Sequence, residues 1–123
     1  MKTYAYTIDL KNDPGSIAEY IEYHRNVWPE VLESLRKAGI KGDRIFILGT
    51  RLFMLLEVND EFDPKLGLQN HAAGLREKEW EDRMSKFQLL VKEACEGEWW
   101  AQMELVFDMN EQKTDNKQSR SCK

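Results

Sequence analysis

Two apolar runs separated by Gly49-Thr50, near the middle of the chain, restrict its fold more than any other feature. Ile45-Phe46-Ile47-Leu48 and Leu52-Phe53-Met54-Leu55-Leu56-Glu57-Val58 are rich in residues that suit a pleated surface, and glycine at the first central position suits a two-residue turn. They read as adjacent antiparallel strands, and the rest of the chain must be built around that hairpin. Upstream, Tyr4, Tyr6, Ile8 and Leu10 alternate with Ala5, Thr7 and Asp9, the period of a first strand, which Asp13-Pro14-Gly15-Ser16 ends. Ser16-Ile17-Ala18-Glu19 matches a capping box that opens a helix, and Ile17, Tyr20, Ile21, His24, Val27 and Trp28 share one helical face. Pro29 lacks a backbone donor and biases Trp28 away from helical geometry. The helix should kink or restart there, with Pro29 in the first turn of a second piece that ends at Gly39.

Downstream, Asp63-Pro64 should cap a further helical stretch. Trp80, Met84, Phe87 and Val91 outline a long amphipathic helix from about Arg76, and Trp99 to Phe107 alternates again as a last strand. The order is β-α-β-β-α-β, an α+β fold of the ferredoxin-like arrangement with helices on one face of an antiparallel sheet. The other face must be covered or left as a pocket, and two sheets facing each other in a homodimer would do both.

A chain of 123 residues fits one compact domain, here residues 1–109. Residues 110–123, NEQKTDNKQSRSCK, hold no aliphatic or aromatic side chain, so they cannot offset the entropy of being ordered and read as a disordered tail. Lys113, Lys117, Arg120 and Lys123 against Glu111 and Asp115 give that tail a charge of +2, which leaves −6 of the total −4 on the folded part. An acidic domain without interleaved basic and aromatic residues argues against nucleic acid and against an anionic membrane as partners. The first residues lack the apolar stretch of a secretory leader, and no segment is long enough to span a bilayer. Cys95 and Cys122 are too few for a disulfide framework, so reduced thiols and a cytoplasmic location are expected.

His24 and His71 are the two histidines, and without companion cysteines or a shared helical turn they predict no metal site. Glu77, Glu79, Glu81 and Asp82 form a charged run that reads as a solvated helix face. His71, between Asn70 and Ala72-Ala73-Gly74, reads as a surface residue. His24 interrupts an apolar and aromatic face, four residues after Tyr20 and four before Trp28, so a phenol, an imidazole and an indole line one side of a helix. From spacing alone, a core histidine satisfied by a backbone carbonyl competes with a functional one, and packing is the simpler role for Tyr20 and Trp28 taken singly.

The string Tyr20-x-x-x-His24-x-x-x-Trp28-Pro29-Glu30 resembles the L-rhamnose mutarotase family, and the likeness runs through the hairpin and the Trp80 helix to Glu104-Leu105-Val106-Phe107. The resemblance implies a dimeric α+β barrel that binds a 6-deoxyhexose, L-rhamnose first, without a cofactor. It also implies His24 as catalytic acid/base, Tyr20 as a sugar-binding residue and Trp80 as the first of two adjacent tryptophans that line the family's pocket. Two departures stand out. Glu81 occupies the place of the second tryptophan, and an ungapped count puts Asp43 where the family has a pocket tyrosine. The Trp99-Trp100 pair, placed in the last strand, does not replace the missing ring. Mutarotation moves one proton off the anomeric hydroxyl and delivers one to the ring oxygen, which suits an imidazole that titrates near neutrality. Tyr20 would orient or relay, Trp80 would wall the C6 methyl, and Glu81 or Asp43 would bond hydroxyls. The rivals are the same chemistry on L-fucose, a dimeric ferredoxin-like protein that binds a ligand without turning it over, and another cofactor-free enzyme of this barrel type.

Overall fold

The computed structural model describes residues 2–64 and 74–110. The stretch expected to be helical after Asp63-Pro64, His71 and, beyond Asn110, the expected tail lie outside the described residues. Strand β1 (Lys2–Leu10) is followed by helices α1 (Pro14–Tyr23) and α2 (Pro29–Lys37), then by strands β2 (Ile40–Leu48) and β3 (Arg51–Val58). Helix α3 (Leu75–Ser85) and two short strands, β4 (Gln88–Leu89) and β5 (Ala101–Gln102), complete the described elements. All strand pairs are antiparallel, in the order β2-β3-β1-β4, with β5 also pairing to β1. This is the expected α+β, ferredoxin-like arrangement.

Residues opposite one another in an antiparallel ladder project to the same face. Tyr4, Tyr6 and Ile8 of β1 face Leu56, Met54 and Leu52 of β3, and all six are buried beneath the helices. The row continues into β2 through Asp43, Ile45 and Ile47, opposite the same three β3 residues. A shift of register between Ile40 and Gly42 makes this possible. Without the extra residue Asp43 would face Leu55, on the other side of the sheet; the bulge turns it to the helical side. The buried residues divide into a cluster around Tyr6, Met54 and Leu56 and a second around Ile8, Tyr20, Trp80 and Met84, with Leu35, Ile45 and Trp100 packed against both.

Local chemistry explains where the elements stop. Trp28 sits at φ −61°, ψ 137°, the extended geometry imposed on a residue before proline, and a helix restarts at Pro29 as expected; the first helix, however, ends already at Tyr23, so His24, Val27 and Trp28 lie beyond it and do not continue its face. Gly39 follows α2 at φ 95° and Gly49 holds φ 62° in the hairpin, both in the left-handed region where a side chain would be strained. Three further expectations need correction. The first helix opens at Pro14 with Asp13 as its cap, not at Ser16; Ser16 Oγ instead donates to Asp13 Oδ2 at 2.7 Å, because proline is already pre-set for the first helical position. The third helix ends at Ser85, since Gln88 and Leu89 pair with Leu10 and Asp9 along the edge of β1. The last strand is two residues long and excludes Trp99 and Trp100. Glu98 accepts from the backbone N–H groups of Cys95 and Gln102, both at 2.9 Å, and folds the preceding segment into a turn at Gly97. No helix among the described residues is long and apolar enough to cross a membrane.

Candidate active site

Helix α1 ends at Tyr23, and a helix end leaves carbonyls without intrahelical donors. His24 closes that gap twice. Its backbone N–H approaches the Tyr20 carbonyl at 3.3 Å, and its ring Nδ1 donates to the same oxygen at 2.9 Å. A neutral imidazole carries one N–H, so a proton spent at Nδ1 leaves Nε2 with a lone pair and the role of acceptor. The end of α1 at Tyr23 therefore decides the tautomer of His24.

Around that ring the aromatic residues close in. Tyr20 lies 4.4 Å from His24 centroid to centroid, and Trp80 of α3 meets His24 edge-on at 5.4 Å. Trp28 and Tyr23 also meet Trp80 nearly at right angles, at 5.3 and 5.8 Å. Trp80 is thus the hub on which Tyr23, His24 and Trp28 converge. Outside this cluster the guanidinium of Arg76 stacks over the Trp28 ring at 3.8 Å and that of Arg83 at 5.2 Å. Arg83 also donates to Tyr23 Oη at 3.2 Å and to Glu79 at 2.7 Å. The two arginines, seven residues and two helical turns apart, clamp the break between α1 and α2 to α3.

Burial dominates the electrostatics. It lowers the pKa of His24, overcoming the Tyr20 carbonyl and Glu81, which both favour the charged ring. It also pushes the Tyr20 phenol well above its ordinary value, against the hydrogen bond from Gln88 and with the help of Glu81 and Asp43. The imidazole is held neutral and the phenol protonated. Because Glu81 and Asp43 both act on Tyr20, the two carboxylates stand within electrostatic reach of the same ring. Asp43 remains exposed on the rim.

Tyr20, His24, Trp28, Trp80, Glu81 and Asp43 are therefore brought into one neighbourhood by α1, the break after it, α3 and the bulged strand β2. The charged run, expected to be a solvated helix face, divides: Glu79 and Asp82 make surface ion pairs, whereas Glu81 acts on His24 and Tyr20. Sequence reasoning missed Tyr23, the arginine clamp and Gln88. The arginine clamp had a signal, the spacing of Arg76 and Arg83. Gln88, the single buried polar residue among those described, had none beyond falling in an expected helix that proved shorter. Trp99, set aside as a strand residue, reaches this neighbourhood by donating from Nε1 to Gln88 Oε1 at 2.5 Å. Among the described residues no group of three His, Cys, Asp or Glu side chains is placed to hold a metal ion.

Comparison with known proteins gives a consistent result. The family model described as L-rhamnose mutarotase matches residues 3–109. A UPF0734 protein of Dictyostelium discoideum is 45% identical over 113 residues, which cover 89% of this chain and 90% of the relative. The L-fucose mutarotase of Xanthomonas campestris pv. campestris is 37% identical over 113 residues, covering 90% of each. The crystal structure of an L-rhamnose mutarotase from Formosa agariphila superposes with a TM-score of 0.65 at 24% identity, covering 89% of this chain and 99% of that one, and shows the fold.

Proposed function

Since the chain belongs to the L-rhamnose mutarotase family, we propose that it interconverts the α and β anomers of a reducing 6-deoxyhexose, with L-rhamnose as first candidate. One observation carries the reading: the Nδ1 proton of His24 is tied to the Tyr20 carbonyl at 2.9 Å, which leaves Nε2 as a proton acceptor beside a protonated phenol.

Ring opening then runs on two side chains. His24 Nε2 takes the proton of the anomeric hydroxyl. As the anomeric oxygen becomes the carbonyl of the open-chain aldehyde, the bond from the anomeric carbon to the ring oxygen breaks, and the ring oxygen keeps the electron pair. A proton from the Tyr20 hydroxyl meets that developing charge. Rotation about the bond next to the aldehyde and reversal of both transfers give the other anomer. General acid/base help and orientation account for this chemistry without a cofactor, because the same exchange occurs spontaneously in water. Trp80 offers the apolar wall for the sugar's C–H face and C6 methyl, while Glu81 and Asp43 accept from its hydroxyls. Neutralising both carboxylates together should therefore change the rate.

L-Fucose is a second reading of the same site, favoured by the Xanthomonas relative, which is an L-fucose mutarotase. The two sugars share the C6 methyl and differ in hydroxyl configuration, the feature that Glu81 and Asp43 would sense. A homodimer is the proposed assembly. It is supported by the apolar residues left exposed along the outer sheet face and the C-terminal segment, Phe46, Val106, Phe107 and Met109 among them.

Saturation-transfer NMR between the anomeric protons of L-rhamnose and of L-fucose tests the reading. Exchange accelerated by the wild type and lost in a folded His24→Ala variant is expected. No acceleration on either sugar would sink it.

A further inference from the structure

Gln88 is 5% exposed and stands between two side chains whose hydrogen-bonding options differ in kind. On one side is Trp99 Nε1, 2.5 Å from Gln88 Oε1; an indole N–H can only donate. On the other is Tyr20 Oη, 3.3 Å from Gln88 Nε2; an amide nitrogen can only donate as well. Turning the amide over would set two N–H groups against each other at Trp99, so its orientation is locked. The lock passes to Tyr20, whose oxygen must accept from Gln88 and whose own hydrogen must point elsewhere. Among the described residues nothing accepts that hydrogen.

We propose that Gln88, held by Trp99, is a positioning residue that commits the Tyr20 hydroxyl to donating to the substrate. This inference rests on the mutarotase reading and sharpens it. His24 is made an acceptor by the Tyr20 carbonyl, and Tyr20 is made a donor by Gln88. The two proton transfers of ring opening are thereby assigned opposite directions before the sugar arrives. Gln88 also donates to the phenol oxygen at the moment it gives up its proton, the point at which negative charge grows there.

The test turns on reversing the polarity of one bond. Gln88→Leu removes the constraint. Gln88→Glu preserves shape and the acceptor for Trp99 but places a second acceptor against Tyr20, so the phenol must donate to the carboxylate and not to the sugar. With folding checked by thermal unfolding, kcat for anomer exchange at about pH 8 should fall roughly tenfold in Gln88→Leu and roughly a hundredfold in Gln88→Glu, with KM changed less than about threefold in either. Acid should rescue only the glutamate variant, because a protonated carboxyl can again donate to Tyr20. Among the described residues, the titrating groups at this point are Tyr20 of α1, His24 just after it, which packs against Tyr20, and Glu81 of α3 and Asp43 of β2, which act on Tyr20. All four are common to the two enzymes, so the ratio of Gln88→Glu to wild type isolates the new carboxyl. That ratio should climb about tenfold between roughly pH 8 and pH 5.5. Equal losses in the two variants with a flat ratio would overturn the inference while leaving the mutarotase reading intact. A wild type without anomer exchange on any 6-deoxyhexose would remove both. Should Gln88→Glu not fold, Trp99→Phe frees the amide to rotate from its more exposed end. A loss of about threefold in kcat at constant KM is expected, and an unchanged kcat would overturn the inference.

Discussion

Trp80→Ala should be the most damaging single truncation in the site, for reasons that can be added up. The indole is 5% exposed and makes three near-perpendicular ring contacts, to His24, Trp28 and Tyr23. Removing a buried Trp side chain costs about 3–5 kcal/mol, within which each aromatic pair accounts for about 0.5–1.5 kcal/mol. Domains of this size are stable by about 5–15 kcal/mol, so a large share of the total would go. Urea unfolding followed by tryptophan fluorescence would read this as a lower midpoint at unchanged slope. The melting temperature should drop by on the order of 20 °C. Trp80→Phe keeps a ring in the hub and should lose roughly 1–2 kcal/mol. A second signal comes from His24. Its pKa is depressed chiefly by burial, and with the Trp80 wall gone it should move up toward the ordinary histidine value, as read by NMR titration of the ring protons. A loss below about 1 kcal/mol in Trp80→Ala, with the His24 titration unmoved, would refute the view that this indole both supports the break between α1 and α2 and desolvates the imidazole.

Four further outcomes follow from the same geometry. The kcat/KM profile against pH should fall on its acid limb with a midpoint below the ordinary histidine value near 6.5, because burial lowers the His24 pKa and the neutral ring is the working form; a midpoint above that value would contradict it. The depressed pKa also bears on stability, since the unfolded chain binds the proton more readily. The contribution of His24 is present above about pH 6.5 and lost as pH falls through the folded pKa, so wild type should weaken relative to His24→Ala in acid, measured as urea midpoints. Tyr20→Phe strips the acceptor from the buried Gln88 amide and the proposed donor from the site; it should lose about 1–3 kcal/mol of stability and roughly tenfold or more in kcat, and wild-type values of both would contradict the network. Glu81→Gln combined with Asp43→Asn should alter the ratio of rates on L-rhamnose and L-fucose more than either absolute stability or folding, and an unchanged ratio would remove these carboxylates from hydroxyl recognition.

What the sequence determined by itself is the part written in local periodicity and local sterics. The alternation from Tyr4 to Leu10, the Gly49-Thr50 hairpin and the restart at Pro29 each follow from a few neighbouring residues, and together they define the strand and helix order. The spacing of Tyr20 and His24 likewise sets a phenol and an imidazole one turn apart, whereas Trp28 meets the same neighbourhood only across the break, through Trp80. Tertiary structure decided what those groups can do. Pro29 predicts a break, but it is the end of α1 at Tyr23, six residues earlier, that offers the Tyr20 carbonyl to Nδ1 and so makes Nε2 the acceptor. Asp43 reaches the helical side because of one extra residue in β2, a register fact that depends on pairing with β3. Helical periodicity continues to Val91, yet the unpaired edge of β1 captures Gln88 and Leu89 first, since open backbone groups on a strand edge compete for any chain within reach. That competition turns Gln88 toward Tyr20 and brings Trp99 against it. A glutamine and an indole eleven residues apart carry no periodic signature; their hydrogen bond exists because a strand edge needed partners.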